Sequence, residues 1–261
     1  MLATPQPEEK ARAARNLAQN WRDLPFSSGS APTRAPKAPA RPSRPRILPP
    51  SEVPRRRLGS QAGRAALLHA VAHIEFNAID LACDMALRFS PAVMDLFGDE
   101  ARRDFLADWI SVADDEARHF GLVSDRLAAY GVVYGDLPAH GGLWDAARAT
   151  SGDLLARLAV APMVLEARGL DVTPKMIAKL RRAGDENSAA ALETIYNEEV
   201  RHVAIGVAWF QRICTAKGLA AVAVFQDKVR EYYKGGLKPP FNETARARAG
   251  LLQDFYRPLS W

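Results

Sequence analysis

The feature that most constrains this fold is a short pattern that occurs twice, as Glu116-Ala-Arg-His119 and as Glu199-Val-Arg-His202. Each copy lies in a stretch whose apolar residues recur with helical spacing. On a helix, residues three apart share a face, and their Cβ atoms lie about 5–6 Å apart. A carboxylate and an imidazole at that spacing can bind one metal ion together. The chain is therefore predicted to carry two such pairs on two helices.

A lone glutamate precedes each copy of the pattern, Glu75 before the first and Glu166 before the second. All four glutamates fall on the apolar face of a predicted helix, where an ionised carboxylate is costly unless its charge is compensated. Four-helix bundles that hold two iron or manganese ions use one Glu from each of two helices and one Glu-x-x-His from each of the other two. The predicted ligands are Glu75, Glu116 and His119 for one metal, and Glu166, Glu199 and His202 for the other.

Charge and ligand chemistry indicate which metals fit this set. Two divalent ions would balance the four carboxylates and leave both histidines neutral. Oxygen ligands with one nitrogen per metal favour iron or manganese, since zinc prefers sulfur and several histidines. We therefore expect two iron ions as the cofactor, with manganese as the alternative. The bridging carboxylates are left open between Glu116 and either Glu166 or Glu199.

Hydrophobic periodicity predicts an all-α fold, because no stretch shows convincing strand alternation. The first long helix is expected to end near Pro91, and Pro162 is expected to kink the third helix just before Glu166. Thr173 and Pro174 are typical of the start of a separate short helix. The predicted architecture is a four-helix bundle with extra C-terminal helices: the later long helices lie at about 99–130, 143–170 and 186–217, and the covering helices at about 219–233 and 242–255.

Residues 1–58 are predicted to form a basic arm rich in proline and arginine, and residues 59–261 the helical domain. The arm carries 12 Lys and Arg against 4 Asp and Glu, whereas the rest of the chain carries 23 against 26. Residues 8–21 are compatible with a short helix, and the proline density of residues 27–54 favours an extended backbone. Two interpretations stay open: the arm wraps on its own slightly acidic domain, or it binds RNA or an acidic partner.

Composition limits both the cellular compartment and the kinds of cysteine-based site that are expected. The chain has 261 residues, 48% of them hydrophobic, which is enough for a substantial core. Its two cysteines, Cys83 and Cys214, form no Cys-x-x-Cys pair, so neither a disulfide framework nor a rubredoxin-type centre is expected. No run of about 20 apolar residues occurs, so no membrane span is expected. These features predict a cytoplasmic protein.

Other side chains near the predicted ligands are expected to have supporting roles. His69 and His73 are not expected to bind metal, since position 73 faces nearly opposite to Glu75. They are expected either to contact a metal ligand from the side away from the metal or to lie at the surface. Tyr196 precedes Glu199 by about one helical turn. Two interpretations of this tyrosine stay open, core packing or a redox or supporting residue beside the metals.

Four strings of the sequence carry a family resemblance: HAVAHIEFNAID, YGDLPAH, LEARGLDVTP and KPPFN, at residues 69–80, 134–140, 165–174 and 238–242. They resemble the bacterial ferritin-like family catalogued as domain of unknown function 455, and the similarity extends over nearly the whole chain. The resemblance implies a ferritin-like bundle of the di-iron carboxylate type, and it favours an arm that is part of the domain. Since the family name carries no activity, the resemblance leaves the reaction open.

On this basis the chain is expected to be a di-metal protein that uses dioxygen to oxidise or hydroxylate an unidentified small-molecule substrate. An external electron donor is expected as a partner. Two alternatives stay open: a ferroxidase or peroxide-handling protein, and a metal-braced module that binds tRNA, another nucleic acid or a protein partner. The sequence leaves open whether the chain forms a homodimer.

Overall fold

The computed structural model describes residues 1–24, 35–53 and 58–260. Over these residues the chain is helical, with two isolated backbone bridges and no strand. The prediction of an all-α helical bundle is confirmed. The α-helices of the described residues are α1 (Pro7–Asn20), α2 (Gln61–Phe97), α3 (Asp99–Ala128), α4 (Gly142–Ala149), α5 (Leu154–Val160), α6 (Ala167–Arg182), α7 (Glu186–Ala216), α8 (Ala221–Tyr232), α9 (Glu243–Arg248) and α10 (Gln253–Tyr256).

The structure consists of two compact units, Met1–Trp144 and Asp145–Trp261. Each unit contains one packed pair of longer helices, α2 with α3 in the first and α6 with α7 in the second. This division does not test the predicted domain boundary after residue 58, which stays a prediction.

In the first unit, local signals set the ends of α2. The Ser60 hydroxyl accepts a hydrogen bond from the backbone N–H of Gly63 at 3.1 Å and caps the helix N-terminus. Gly98 ends the helix with a φ of 87°, a conformation that glycine adopts without steric cost. The sharp turn at Gly98 makes α2 and α3 consecutive partners, which brings their inward faces together.

The expectation that α2 ends near Pro91 is wrong, because the helix continues to Phe97. A proline inside a helix removes one backbone hydrogen bond and costs about 3 kcal/mol. Phe89 and Val93, on either side of the proline, are both buried. Tertiary packing of these side chains therefore maintains the helix past a residue that local preference would place at its end.

The described part of the arm packs on the first unit. Helix α1 contacts α3, and the extended segment after it pairs with a loop: Leu48 N donates to Ala139 O at 2.8 Å, and Ala139 N donates to Arg46 O at 3.0 Å. These contacts support the wrapping interpretation for the described residues. Residues 25–34 and 54–57 of the predicted arm lie outside them.

In the second unit, the predicted third helix is interrupted. Helix α4 ends at Ala149, and α5 begins at Leu154 after the turn. The carboxylate of Asp153 accepts a hydrogen bond from Ala156 N at 3.0 Å and caps α5. The expectation of one helix running on from about residue 143 is therefore wrong, because this cap starts a new helix.

The predicted kink near Pro162 is confirmed as a π-helical turn, Ala161–Glu166, between α5 and α6. A widened turn accommodates a residue that cannot donate a backbone hydrogen bond. Helix α7 approaches this turn closely, since a Cβ placed on Gly206 would overlap Cβ and Cγ of Pro162. The pairing of Pro162 with Gly206 therefore positions α7 against the turn that carries Glu166.

The prediction that Thr173 and Pro174 begin a separate helix is wrong, because α6 runs from Ala167 to Arg182 through both residues. Pro174 cannot donate to the carbonyl of Leu170, four residues earlier. The side chain of Asn242 donates to that carbonyl instead, with Nδ2 to O at 3.1 Å. This compensation comes from the C-terminal part of the chain, so the local sequence cannot reveal it.

Among the described residues, α2 is long and apolar enough to cross a membrane by length and composition alone. Of its most apolar stretch, 78% is buried inside the structure, as in the core helix of a water-soluble protein. The expectation that no segment spans a membrane stays a prediction.

Candidate metal centre

The first unit brings together three of the predicted ligands. Glu75 lies on α2, and Glu116 and His119 lie one turn apart on α3. His119 Nδ1 is 3.4 Å from Glu75 Oε2 and 3.6 Å from Glu116 Oε2. One ligand atom from each of the three residues lies within 4.8 Å of the others. The exposed fractions are 4%, 1% and 0%, so this half of the site is closed to solvent.

Burial and mutual charge control the titration of these groups. Burial raises the pKa of Glu75 well above its usual range, and the negative charge of Glu116 raises it further. Burial lowers the pKa of His119, but the two carboxylates outweigh that effect and raise it to about 11. Two acids and one imidazole share a space that water does not reach. In the metal-free protein this group therefore retains protons at neutral pH, and a bound cation would displace them.

The spacing of these atoms also fits a metal ion. The separations of 3.4 and 3.6 Å are longer than the usual hydrogen bond between nitrogen and oxygen. Two ligand atoms that each lie about 2.1 Å from one ion are separated by roughly 3–3.5 Å. Two carboxylates and one imidazole are also the donor set that iron and manganese accept. Glu75, Glu116 and His119 therefore fit as ligands of one ion.

The second unit carries the other predicted ligands. Glu166 ends the π-helical turn, and Glu199 and His202 lie on α7, against which that turn packs. His202 Nδ1 is 3.5 Å from Glu199 Oε1, so the structure brings this pair together as predicted. His202 is fully buried, whereas the Glu199 side chain is 13% exposed and Glu166 is partly exposed. The three ligands of this half are therefore less enclosed than those of the first unit.

His69 and His73 are buried, which excludes the surface position among the alternatives predicted for them. His69 Nε2 accepts a hydrogen bond from the backbone of Gly135 at 2.9 Å, and His73 Nδ1 lies 2.8 Å from the Tyr134 hydroxyl. Burial lowers the pKa of His73 to about 4, and the positive charge of Arg41 adds to that effect. His73 is therefore neutral, and the two histidines attach the 134–140 loop to α2.

Sequence reasoning missed a polar network in the second unit. Asn242 Nδ2 donates to the Tyr196 hydroxyl at 3.0 Å, and Asn242 N donates to Asp171 Oδ1 at 2.8 Å. Asp171 also accepts from the buried guanidinium of Arg246, with Nε to Oδ1 at 2.9 Å and Nη2 to Oδ2 at 2.7 Å. The strings at residues 165–174 and 238–242, which contain Asp171 and Asn242, were its signals in the sequence.

The chain matches, over residues 3–257, the family model described as protein of unknown function (DUF455). A protein of Haemophilus influenzae described as uncharacterized is 38% identical over 258 residues, which cover 97% of this chain and 88% of the relative. No solved structure is significantly similar to the chain. The matched range includes the arm and both units, and the resemblance to this family found in the sequence is confirmed.

Proposed function

We propose that this chain, which belongs to the family described as protein of unknown function (DUF455), is a ferritin-like di-metal carboxylate protein that uses dioxygen to oxidise or hydroxylate an organic substrate. The observation that carries the proposal is the buried group of Glu75, Glu116 and His119, which fits one ion in spacing, charge and donor type. We assign iron as the metal, with manganese as the alternative.

The second ion is assigned to Glu166, Glu199 and His202 of the second unit. The order of ligands along the chain supports this assignment, because each half supplies one lone Glu and one Glu-x-x-His. Two divalent ions would neutralise the four carboxylates. Without such cations, two acids buried in the enclosed part of a helix pair would be costly.

When bound, the metals would offer open coordination positions for dioxygen and would pass on the electrons that a donor provides. The residues of the chain have complementary tasks. The enclosed ligands Glu75 and Glu116 of the first unit exclude water, whereas Glu166 and Glu199 of the second unit are partly exposed, and we propose that a small substrate enters beside them. Hydroxylation consumes dioxygen, two electrons and two protons, and it yields the hydroxylated product and water. Since Cys83 and Cys214 are both buried, we propose that the electrons come from a separate donor.

Metal content tests the site. The full chain is purified from iron-supplemented cells, and metals are quantified per chain beside Glu116→Ala, Glu199→Ala and the control Glu100→Ala. Glu100 is exposed on the same helix as Glu116. We expect about two metals per chain in the wild type and the control, and a loss in the other two variants. A wild type that binds no metal contradicts the proposal.

Oxygen reactivity tests the reaction class. The iron form is reduced without air and mixed rapidly with oxygenated buffer. We expect a transient change in absorbance in the wild type and none in Glu116→Ala. A metal-loaded wild type whose spectrum never changes on mixing contradicts the oxidase part and leaves the metal site standing.

A further inference from the structure

Tyr196 lies on α7, the helix that carries Glu199 and His202, and its hydroxyl contacts the side chain of Asn242. Tyr196 precedes Glu199 by three residues on α7, so the two side chains are neighbours on one helix face. Both residues are partly exposed, in contrast to the enclosed ligands of the first unit. A phenol at this position can meet a ligand that enters from solvent.

The orientation of the neighbouring Asn242 amide is set by its role as a helix cap. Its Oδ1 accepts a hydrogen bond from Ala245 N at 3.1 Å and caps α9. The amide nitrogen must therefore face the other way. There Nδ2 donates to Leu170 O at 3.1 Å and to the Tyr196 hydroxyl at 3.0 Å, which uses both of its hydrogens.

Further contacts keep this amide in place. The Leu170 carbonyl needs the Asn242 donor because Pro174 cannot supply one. The backbone N–H of Asn242 donates to Asp171, whose carboxylate is paired with the buried Arg246. A rotated amide would break the cap of α9 and leave the Leu170 carbonyl without that donor. The Asn242 side chain therefore has one favourable orientation.

The direction of the hydrogen bond at Tyr196 follows from the chemistry of the amide. An amide nitrogen donates and does not accept, so the Tyr196 oxygen is the acceptor and its own hydrogen is directed away from Asn242. Glu166 is the N-cap residue of α6, and Leu170 lies about one helical turn, roughly 6 Å, after it. Asn242 therefore contacts α6 about one turn after Glu166, and Tyr196, its other partner, precedes Glu199 by about one turn on α7.

We infer that Tyr196 donates a hydrogen bond to an anionic oxygen or small anion bound beside Glu166 and Glu199, and that Asn242 orients the hydroxyl for this task. The inference rests on the proposed function, because it requires a metal at this half of the site. It names Tyr196 as a ligand-binding residue and Asn242 as a positioning residue. Neither of them is among the six predicted metal ligands.

The test measures the affinity of azide, a small anion that binds ferric iron, for the iron-loaded full chain by optical titration. Tyr196→Phe removes only the hydroxyl. Asn242→Asp keeps the cap oxygen but places a second acceptor beside Tyr196, which captures the hydroxyl hydrogen. Two controls are matched to these changes: Tyr233→Phe removes a hydroxyl beyond α8, and Asn197→Asp adds the same charge at an exposed position on α7. Iron content is measured for every variant.

We expect azide to bind more than tenfold more weakly to both Tyr196→Phe and Asn242→Asp, because a hydrogen bond to a charged group is lost in each. Both controls are expected to stay within about threefold of the wild type. Equal azide affinity in the iron-loaded wild type and Tyr196→Phe overturns the inference and leaves the proposed function intact. Unchanged affinity in Asn242→Asp, which keeps the hydroxyl, overturns the assigned orientation. A wild type that binds no iron overturns the proposed function and this inference with it.

Discussion

The ammonium nitrogen of Lys10 lies 2.6 Å from Oδ1 and 2.7 Å from Oδ2 of Asp80, and both side chains are fully buried. Burial lowers the pKa of Lys10 and raises the pKa of Asp80 to about 6, so each charge depends on the presence of the other. The pair joins α1 of the arm to α2, five residues after Glu75. The arm is thereby tied to a helix that carries a predicted ligand.

Removal of one partner of this pair should be costly. We expect Lys10→Met to lower the free energy of unfolding by up to about 3–5 kcal/mol at neutral pH, because buried Asp80 then keeps only the more distant Arg41, with Nη1 to Oδ2 at 3.4 Å, as a charged partner. Urea unfolding measures the change. Arg12→Met is the control, since Arg12 is exposed on the same helix. If the two variants lose the same small amount, the arm does not depend on this ion pair.

The buried acids of the first unit, Glu75 and Glu116, should lower the free energy of unfolding of the metal-free protein. We expect Glu75→Gln to raise the free energy of unfolding of the metal-free protein by about 1 kcal/mol or more at neutral pH, because the buried acid must take up a proton on folding and glutamine need not. The same variant should bind less metal. Unfolding after treatment with a chelator measures the first effect, and Glu100→Gln is the exposed control. A destabilised Glu75→Gln would show that the acid is satisfied without a metal.

Gly206 and Pro162 should tolerate no added side chain between them. We expect Gly206→Ala to cost about 1–3 kcal/mol, since the new Cβ overlaps the proline ring. Gly169→Ala is the matched control: Gly169 lies in α6 with open space around it, and alanine there should stabilise the helix by about 0.5–1 kcal/mol. The double variant with Pro162→Ala should lose less than the sum of the two single changes. Strict additivity would mean that the contact is not the cause.

The cap of α5 should give a pH-dependent contribution to stability. Lys228 Nζ lies 2.7 Å from Asp153 Oδ2, and although burial raises the pKa of Asp153, hydrogen bonds from Lys228 and the α5 backbone outweigh it and lower the pKa below its usual value. A lowered folded-state pKa stabilises above the unfolded value of 3.8 and loses that contribution as the pH falls through the folded value. Asp153→Asn keeps the cap but removes the charge, so we expect a loss of about 1 kcal/mol at neutral pH.

Urea unfolding of the wild type and Asp153→Asn, from about pH 6 down to about pH 3, checks this expectation. The difference between them should shrink as the acid becomes protonated. Lys228→Met should show the same loss at neutral pH, and the double variant should lose little more. A difference that grows toward low pH would contradict the assigned direction of the pKa shift.

The long helices were predictable because their signal is periodic and local. The apolar spacing around Glu116 and Glu199 predicted α3 and α7 to within a few residues. The same spacing placed each ligand pair on one face, and the structure shows each pair together. Periodicity over many residues averages out the preference of any single one, so these predictions needed no tertiary information.

The helix boundaries were less predictable. A proline disfavours a helix locally, whereas contacts with residues distant in the chain can maintain the helix around it. Pro91 and Pro174 were expected at helix ends, and both lie inside helices. Buried neighbours maintain the helix in the first case, and Asn242 supplies the missing donor in the second. The helix interruption before Asp153 was not predicted. The apolar spacing continues through this stretch, but the cap formed by Asp153 starts a new helix there.

The sequence by itself determined the all-α class and the shared helix face of each Glu-x-x-His pair, because helical spacing converts residue order directly into a shared face; that these residues bind metal stays a prediction. Only the tertiary structure decided that Glu75 meets His119 at 3.4 Å, that Lys10 is buried against Asp80, and that Asn242 donates to the Tyr196 hydroxyl at 3.0 Å. These contacts join residues far apart in the chain. Their geometry depends on how whole helices pack, and no local pattern encodes that.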